Sequence, residues 1–346
     1  MTKDNTLHPS IALEAAVKPE IGNTIISIAF SSRFKNNANC NLLKCLDSIV
    51  KTTTKEERER LEVLIKMDLD DTSIPDEIIK TFTVIHKGKY FLLHRNYKGI
   101  HTRIFIYSRG EGRSDLHNAL SYLGTMVSYE SAVIMNIADD FIFTKSGWVT
   151  NTLNLYDISL KKNKGMLIIG PCSENFTPPS LTENALGKHK KTQDELMPIG
   201  KWCDFNYVTH NELDEIINGQ KTVLWTNLNQ YIGEYCPIFS TKLFNIISGQ
   251  FWMANIDTYF TILGAVLALK HNIKITSRIE NFYIREQEIQ STKELARQHK
   301  PVPWDAGSLD YNFNTVFNYS KVRNCKSFFN LLLQQALNIK LNLENE

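Results

Sequence analysis

The first half of the chain alternates short β-branched apolar runs with stretches of helical spacing, and each run ends in polar residues. TIISIAF, Thr24 to Phe30, is bounded by Gly22 and by Ser31-Ser32. CNLLKCLDSIV, Cys40 to Val50, sets Leu42, Leu43, Leu46, Ile49 and Val50 on one helical face. LEVLIKM, Leu61 to Met67, is strand-like again and stops at the acidic turn DLDDTSIPDE. TFTVIHKGKYFLLH and TRIFIYS add two β-type pieces, with Lys87-Gly88-Lys89 as a hairpin turn. GRSDLHNALSYLGTMV reads as a helix capped by Ser114 or Asp115, and VIMNI delivers Asp139 and Asp140. This alternation predicts an α/β fold: a Rossmann-like, mostly parallel central sheet with helices on its faces. Ligands of such sheets bind outside the carboxyl ends of the strands. Three polar clusters fall at those ends: Ser31-Ser32-Arg33, Asp68 to Asp71, and Asp139-Asp140.

The second half is less regular. MLIIG and TVLWTN read as strands, a polar stretch runs from Pro171 to Met197, and a long apolar helix starts near Asp257. The expected organisation is an arm over 1–23, a first α/β half over 24–150, an irregular half over 151–320 and an amphipathic C-terminal helix over 321–346. The formal net charge of +2 demands neither nucleic acid nor an acidic membrane as partner. The N-terminus lacks the apolar core of a signal peptide, and ILGAVLALK is too short to span a bilayer. The expectation is a cytoplasmic protein, with peripheral membrane contact left open. Six scattered cysteines with no CxxC pair argue for reduced thiols rather than a disulfide framework.

Two neighbouring carboxylates at a strand end repel each other, and something must offset that. Solvent does so in an ordinary Asp-Asp turn. A hard divalent cation, Mg²⁺ or Mn²⁺, does so equally well, completing its shell with water and diphosphate oxygens.

In order, IISIAFSSR, VLIKMDLDD, GRSDLHNAL and MNIADDFIFTKSGW resemble the donor site of GT-A fold glycosyltransferases. These belong to the nucleotide-diphospho-sugar transferase superfamily, and family two is the most similar. The resemblance spans about Thr24 to Trp148 and continues more weakly to about Lys270. It implies that 24–150 binds the nucleotide-sugar donor and that 151–320 carries the acceptor region and the base. It assigns Ser31, Arg33, Asp68, Arg113 and Asp139 to the donor and Asp140 to the metal, with His299 as a further ligand. Asp257, in NIDTYFTILGAVL, takes the place of the general base of an inverting transferase. The implied acceptor is a glycan, a lipid-linked sugar or another hydroxyl compound. Trp202, Trp252 and Trp304 are candidates for stacking on it, core packing being the other fate of such rings.

Two departures qualify the match. Ala138 stands at the first position of the DxD-type motif, and Ile256 at the family's first acidic position before the base. They keep alive a catalytically degenerate binding or scaffold protein. A sugar nucleotidyltransferase, the third expectation, lacks its usual Gly-rich loop, since FSSRFKNNAN has no glycine.

Overall fold

The computed structural model describes residues 23–32, 41–68, 83–87, 91–107, 114–173, 201–203, 209–218, 238–247, 256–286 and 323–345. The apolar runs become strands: β1 (Ile25–Ser32), β2 (Leu61–Asp68), β3 (Thr83–Lys87), β4 (Phe91–Tyr97), β5 (Ile100–Tyr107) and β6 (Ser131–Asn136). They are followed by β7 (Phe141–Phe143), β8 (Ile168–Ser173), β9 (Ile238–Ser240) and β10 (Thr276–Glu286). Between them lie helices α1 (Asn41–Lys51), α2 (Lys55–Arg58), α3 (Ser114–Thr125) and α4 (Trp148–Asn163). Further along come α5 (His210–Ile217), α6 (Thr241–Ile246), α7 (Ile256–His271) and α8 (Arg323–Asn345).

All ten strands join one mixed sheet in the order β3-β4-β5-β2-β1-β6-β9-β8-β10-β7. Its heart, β5-β2-β1-β6, is parallel, with helices between β1 and β2 and between β5 and β6 and the β3-β4 pair between β2 and β5. β9 runs antiparallel to both β6 and β8, β10 pairs parallel with β8, and β7 closes that side antiparallel to β10. On the other side β3 and β4 add antiparallel strands, the first of these pairings being the hairpin expected around Lys87-Gly88-Lys89. A second tight hairpin joins β4 to β5. Its two corner residues, Lys98 and Gly99, have φ of 50° and 98°, the pair of positive values that a type I′ turn needs. The side-chain carbonyl of Asn96 accepts the Gly99 N–H at 2.7 Å and helps hold the bend.

Strand alternation sends side chains to two helical layers. On one face Ala29, Leu64, Phe105 and Ile134 pack against α3, α5, α6, α7 and α8. Helix α7 is buried on every side from Ile262 to Leu267 wherever its side chains are described, as expected for a helix under a sheet. Tyr259 on α7 donates to Gln335 Oε1 on α8 at 2.5 Å, and Gln335 Nε2 donates to the Ile247 carbonyl at 3.2 Å. On the other face Ile26, Ile28, Phe30, Ile65 and Met135 meet α1 and α4. The five apolar positions predicted for α1 do face this layer: Leu42, Leu46 and Ile49 are buried, Leu43 and Val50 half-buried. No helix among the described residues is long and apolar enough to cross a membrane.

One charged pair sits wholly inside the sheet. Arg103 Nη2 on β5 donates to Glu62 Oε2 on β2 at 2.5 Å, and both side chains are 0% exposed. Glu62 Oε1 also accepts the Ser27 hydroxyl at 2.5 Å and the Ser128 backbone N–H at 2.8 Å. Burial pulls the Arg103 guanidinium below its usual pKa while Glu62 pulls it up, and a guanidinium remains charged throughout. Glu62→Leu leaves that cation uncompensated and is expected to cost about 3–5 kcal/mol in urea denaturation. Glu62→Leu combined with Arg103→Met recovers most of the loss. A single-variant cost under about 1 kcal/mol would mean that the pair behaves as a solvated one.

Candidate functional site

Strand order places the site. From β1 the chain moves to β2 and β5 on one side; after α3 it returns to β6 on the other side of β1. The direction of winding therefore reverses between β1 and β6, and the crevice beyond their carboxyl ends is where open α/β sheets bind ligands. Asn136, the last residue of β6, is in register with Ala29, and the Ile137 N–H donates to the Ala29 carbonyl at 3.2 Å.

There the chain bends sharply. The Phe141 N–H donates to the Ala138 carbonyl at 3.2 Å, which makes Asp139 and Asp140 the two corner residues of a β-turn. Both acids are half-buried. The Ser32 hydroxyl, on the last residue of β1, donates to Asp139 Oδ2 at 2.7 Å across the reversal point. Asp140 Oδ1 is turned inward and buried. Beyond the turn, β7 pairs with the end of β10, with Phe141 opposite Glu286 and Phe143 opposite Ile284. Gly147, at φ 91°, then swings the chain into α4. Trp148 is fully buried, 4.8 Å centroid to centroid from Phe143, with its indole N–H on Thr52 Oγ1 at 3.2 Å. The Gly-Trp that follows the acids is thus the anchor of the turn's far side.

Ser31 and Ser32 part company because neighbouring strand residues face opposite sides of a sheet. Ser32 faces the acidic turn. Ser31 lies in register with Lys66 on β2, and its buried hydroxyl has no hydrogen-bond partner among the described residues. Two residues on from Lys66, and so on the same face, Asp68 ends β2 as expected. It is not simply offered to the crevice, since Lys66 Nζ forms an ion pair with Asp68 Oδ1. Lys66 is only 3% exposed and lies 5.0 Å from the centroid of the Tyr107 ring. Asp68 and the acidic turn are two strand spacings apart, on the order of 10 Å, at the same edge.

Of the other expected residues, Asp257 is the second residue of α7, in the first turn, where the helix dipole favours an acid. Arg33, Arg113 and His299 lie outside the described residues, as do Trp252, Trp304 and the strand expected at TVLWTN. Trp202 is half-buried, packs against the same core layer as Phe282 and forms a backbone bridge to Ser277. Among the described residues no three His, Cys, Asp or Glu side chains gather as a metal cage. Any cation at the acidic turn would depend on water and ligand oxygens, as magnesium sites on one or two carboxylates do.

Ser32 and Lys66 are the two positions the sequence reading did not assign. Period-two alternation could have flagged Ser32, since one serine of the pair had to face the turn. A lysine inside the apolar run LEVLIKM, two residues before an acid, was the signal for the other. The two serines give a paired test. Ser32→Ala, which removes a donor from a half-buried carboxylate, is expected to lose about 1–2 kcal/mol in denaturant titration. Ser31→Ala removes an unpaired buried hydroxyl and is expected to be neutral within about 0.5 kcal/mol. Equal costs for the two variants would contradict the assigned facing.

No family model matches the chain, and a search of curated proteins returns no match.

Proposed function

We propose that the chain is a GT-A type glycosyltransferase that moves a sugar from a nucleoside-diphosphate donor to an acceptor hydroxyl. One observation carries the reading: two half-buried acids form the corner of a turn at the switch point of the sheet, tethered to β1 by Ser32. A turn merely solvated would not need its carboxylates drawn inward. The ordered resemblance from Thr24 to Trp148 supports the same conclusion, as does an acid at the start of α7.

The division of labour follows from charge. The leaving diphosphate develops negative charge as the glycosidic bond breaks, and preorganised positive charge or dipoles lower that barrier. A divalent cation held by Asp140 and phosphate oxygens would supply Lewis-acid neutralisation there. Asp139, fixed by Ser32, faces the ribose or sugar hydroxyls as an acceptor. Asp68 takes the base or ribose, with Lys66 paired to its carboxylate at a buried edge. Arg33 and Arg113 bind diphosphate oxygens, with His299 as a further ligand of the cation. Asp257 takes the proton from the attacking acceptor hydroxyl, which gives inversion at the anomeric carbon.

A second reading is a binding module that retains the crevice without the chemistry. The Lys66–Asp68 pair favours it, because Asp68 is already engaged, and Ala138 and Ile256 leave two acidic positions empty. Titration with UDP and GDP, with and without Mn²⁺, separates binding from none. At about 100 times Kd the gain is about 2.7 kcal/mol, a rise of several degrees in Tm. Donor turnover is then expected to fall about 100-fold or more in both Asp140→Ala and Asp257→Ala. Nucleotide binding without turnover would establish the module; turnover unchanged in both variants would remove the mechanism.

A further inference from the structure

At the opposite end of β6 from the acidic turn, an open groove of about 650 Å³ lies between the start of that strand, α4, α6 and the last turns of α8. Its lining is neither a hydrophobic slot nor a charged cleft. Tyr129 and Tyr156 stand beside Asn245, Asn338 and Asn342, and Lys242 is the one charged side chain among the described residues that line it. Tyr129 is 71% exposed, unusual for so large a ring.

The amides offer mixed hydrogen-bonding capacity. Asn338 Oδ1 accepts from Gln334, which leaves its NH₂ as donor. Asn342 spends its NH₂ on the Asn338 backbone carbonyl, which leaves its side-chain carbonyl as acceptor. Asn245 is exposed and makes no side-chain hydrogen bond among the described residues, so it offers both.

The hydroxyls at the groove connect to the sheet interior. Ser27 Oγ lies 2.5 Å from the Glu62 carboxylate and 2.7 Å from Ser131 Oγ, placed to donate to either, and Ser131 Oγ lies 3.0 Å from Thr241 Oγ1, where either hydroxyl can donate. Ser131 and Thr241 both line the groove and bring hydroxyls that donate or accept.

A flat exposed ring, amides of both polarities and two hydroxyls, with almost no charge, match the surface of a sugar. Each pyranose ring pairs an apolar C–H face with hydroxyls that donate and accept. An anionic ligand would need more than one cation. A peptide anchored by large apolar side chains would need a deep apolar hole, and a bilayer a basic rim beside an apolar face. We propose that this groove binds a neutral oligosaccharide, at a site separate from the acidic turn. The inference stands without the donor-site reading, since β6 spans about 20 Å between the two.

The test is a printed array of neutral oligosaccharides probed with the full chain, followed by calorimetric titration of the strongest binder. Tyr129→Ala and Asn245→Ala, both exposed substitutions, are expected to weaken binding about tenfold each. Affinity is expected to be unchanged in Asp140→Ala and in saturating UDP with Mn²⁺. Absence of any neutral glycan binder overturns the proposal, as does an affinity unchanged from the parent chain in both groove variants. Competition by UDP or loss in Asp140→Ala would move the sugar to the acidic turn. A dimer that sedimentation shows Tyr129→Ala to dissociate would give the groove to a second copy instead. Failure of UDP to bind at all, with groove binding intact, would count against the donor site alone.

Discussion

The hydrogen bond from Ser32 to Asp139 joins the two strands between which the sheet reverses its winding. Everything proposed for the crevice depends on that tether. β1 and β6 are parallel neighbours, so their carboxyl ends are held together by main-chain bonds as far as the Ile137 N–H on Ala29. Past that point the Ser32–Asp139 side-chain contact links them. A carboxylate held this way keeps one oxygen engaged and the group oriented. Orientation is what a binding site needs from an acid more than charge alone.

The second constraint is electrostatic. Acids gathered at one sheet edge raise each other's cost of ionisation unless a cation compensates. The sheet solves this locally at Asp68, where Lys66 sits two residues away on the same face. At Asp139 and Asp140 the chain uses a hydroxyl, and a turn whose far side is fixed by β7 on β10 and by Trp148. Two acids on one edge are thus held by different groups, a lysine at Asp68 and a hydroxyl at Asp139.

Much of this was legible in the sequence, for a physical reason. β1, β2 and β6 are buried on both faces, so they appear as continuous apolar runs, and α1 shows its one-sided burial as spacing. The short strands were not legible. Phe141–Phe143 and Ile238–Ser240 are three residues each and take their identity from partners far along the chain, β10 for one, β6 and β8 for the other. The Lys98-Gly99 hairpin also escaped notice, because Lys is an uncommon left-handed residue and the pair lacks the Asn-Gly signature. Facing was the other blind spot. Ser31 and Ser32 are equivalent on paper, and only pairing with β2 and β6 decides which one meets the acid. Nor do the charges of Glu62 and Arg103 reveal their burial, since each sits in a run apolar enough to remain a strand.

The two ends of β6 offer different chemistry to the two ligands proposed. At its carboxyl end the chain gathers acids, which suits a ligand that carries a cation. At its amino end the buried Glu62 is balanced by Arg103, and Ser27, Ser131 and Thr241 carry uncharged hydroxyls from that pair toward the surface. A charged metal–diphosphate complex has no reason to settle on such a surface. The proposed polyhydroxyl ligand would pair its hydroxyls with those of Ser131 and Thr241 and lay its apolar face on the exposed Tyr129 ring. The parallel arrangement keeps these environments apart, since every strand of the heart points the same way.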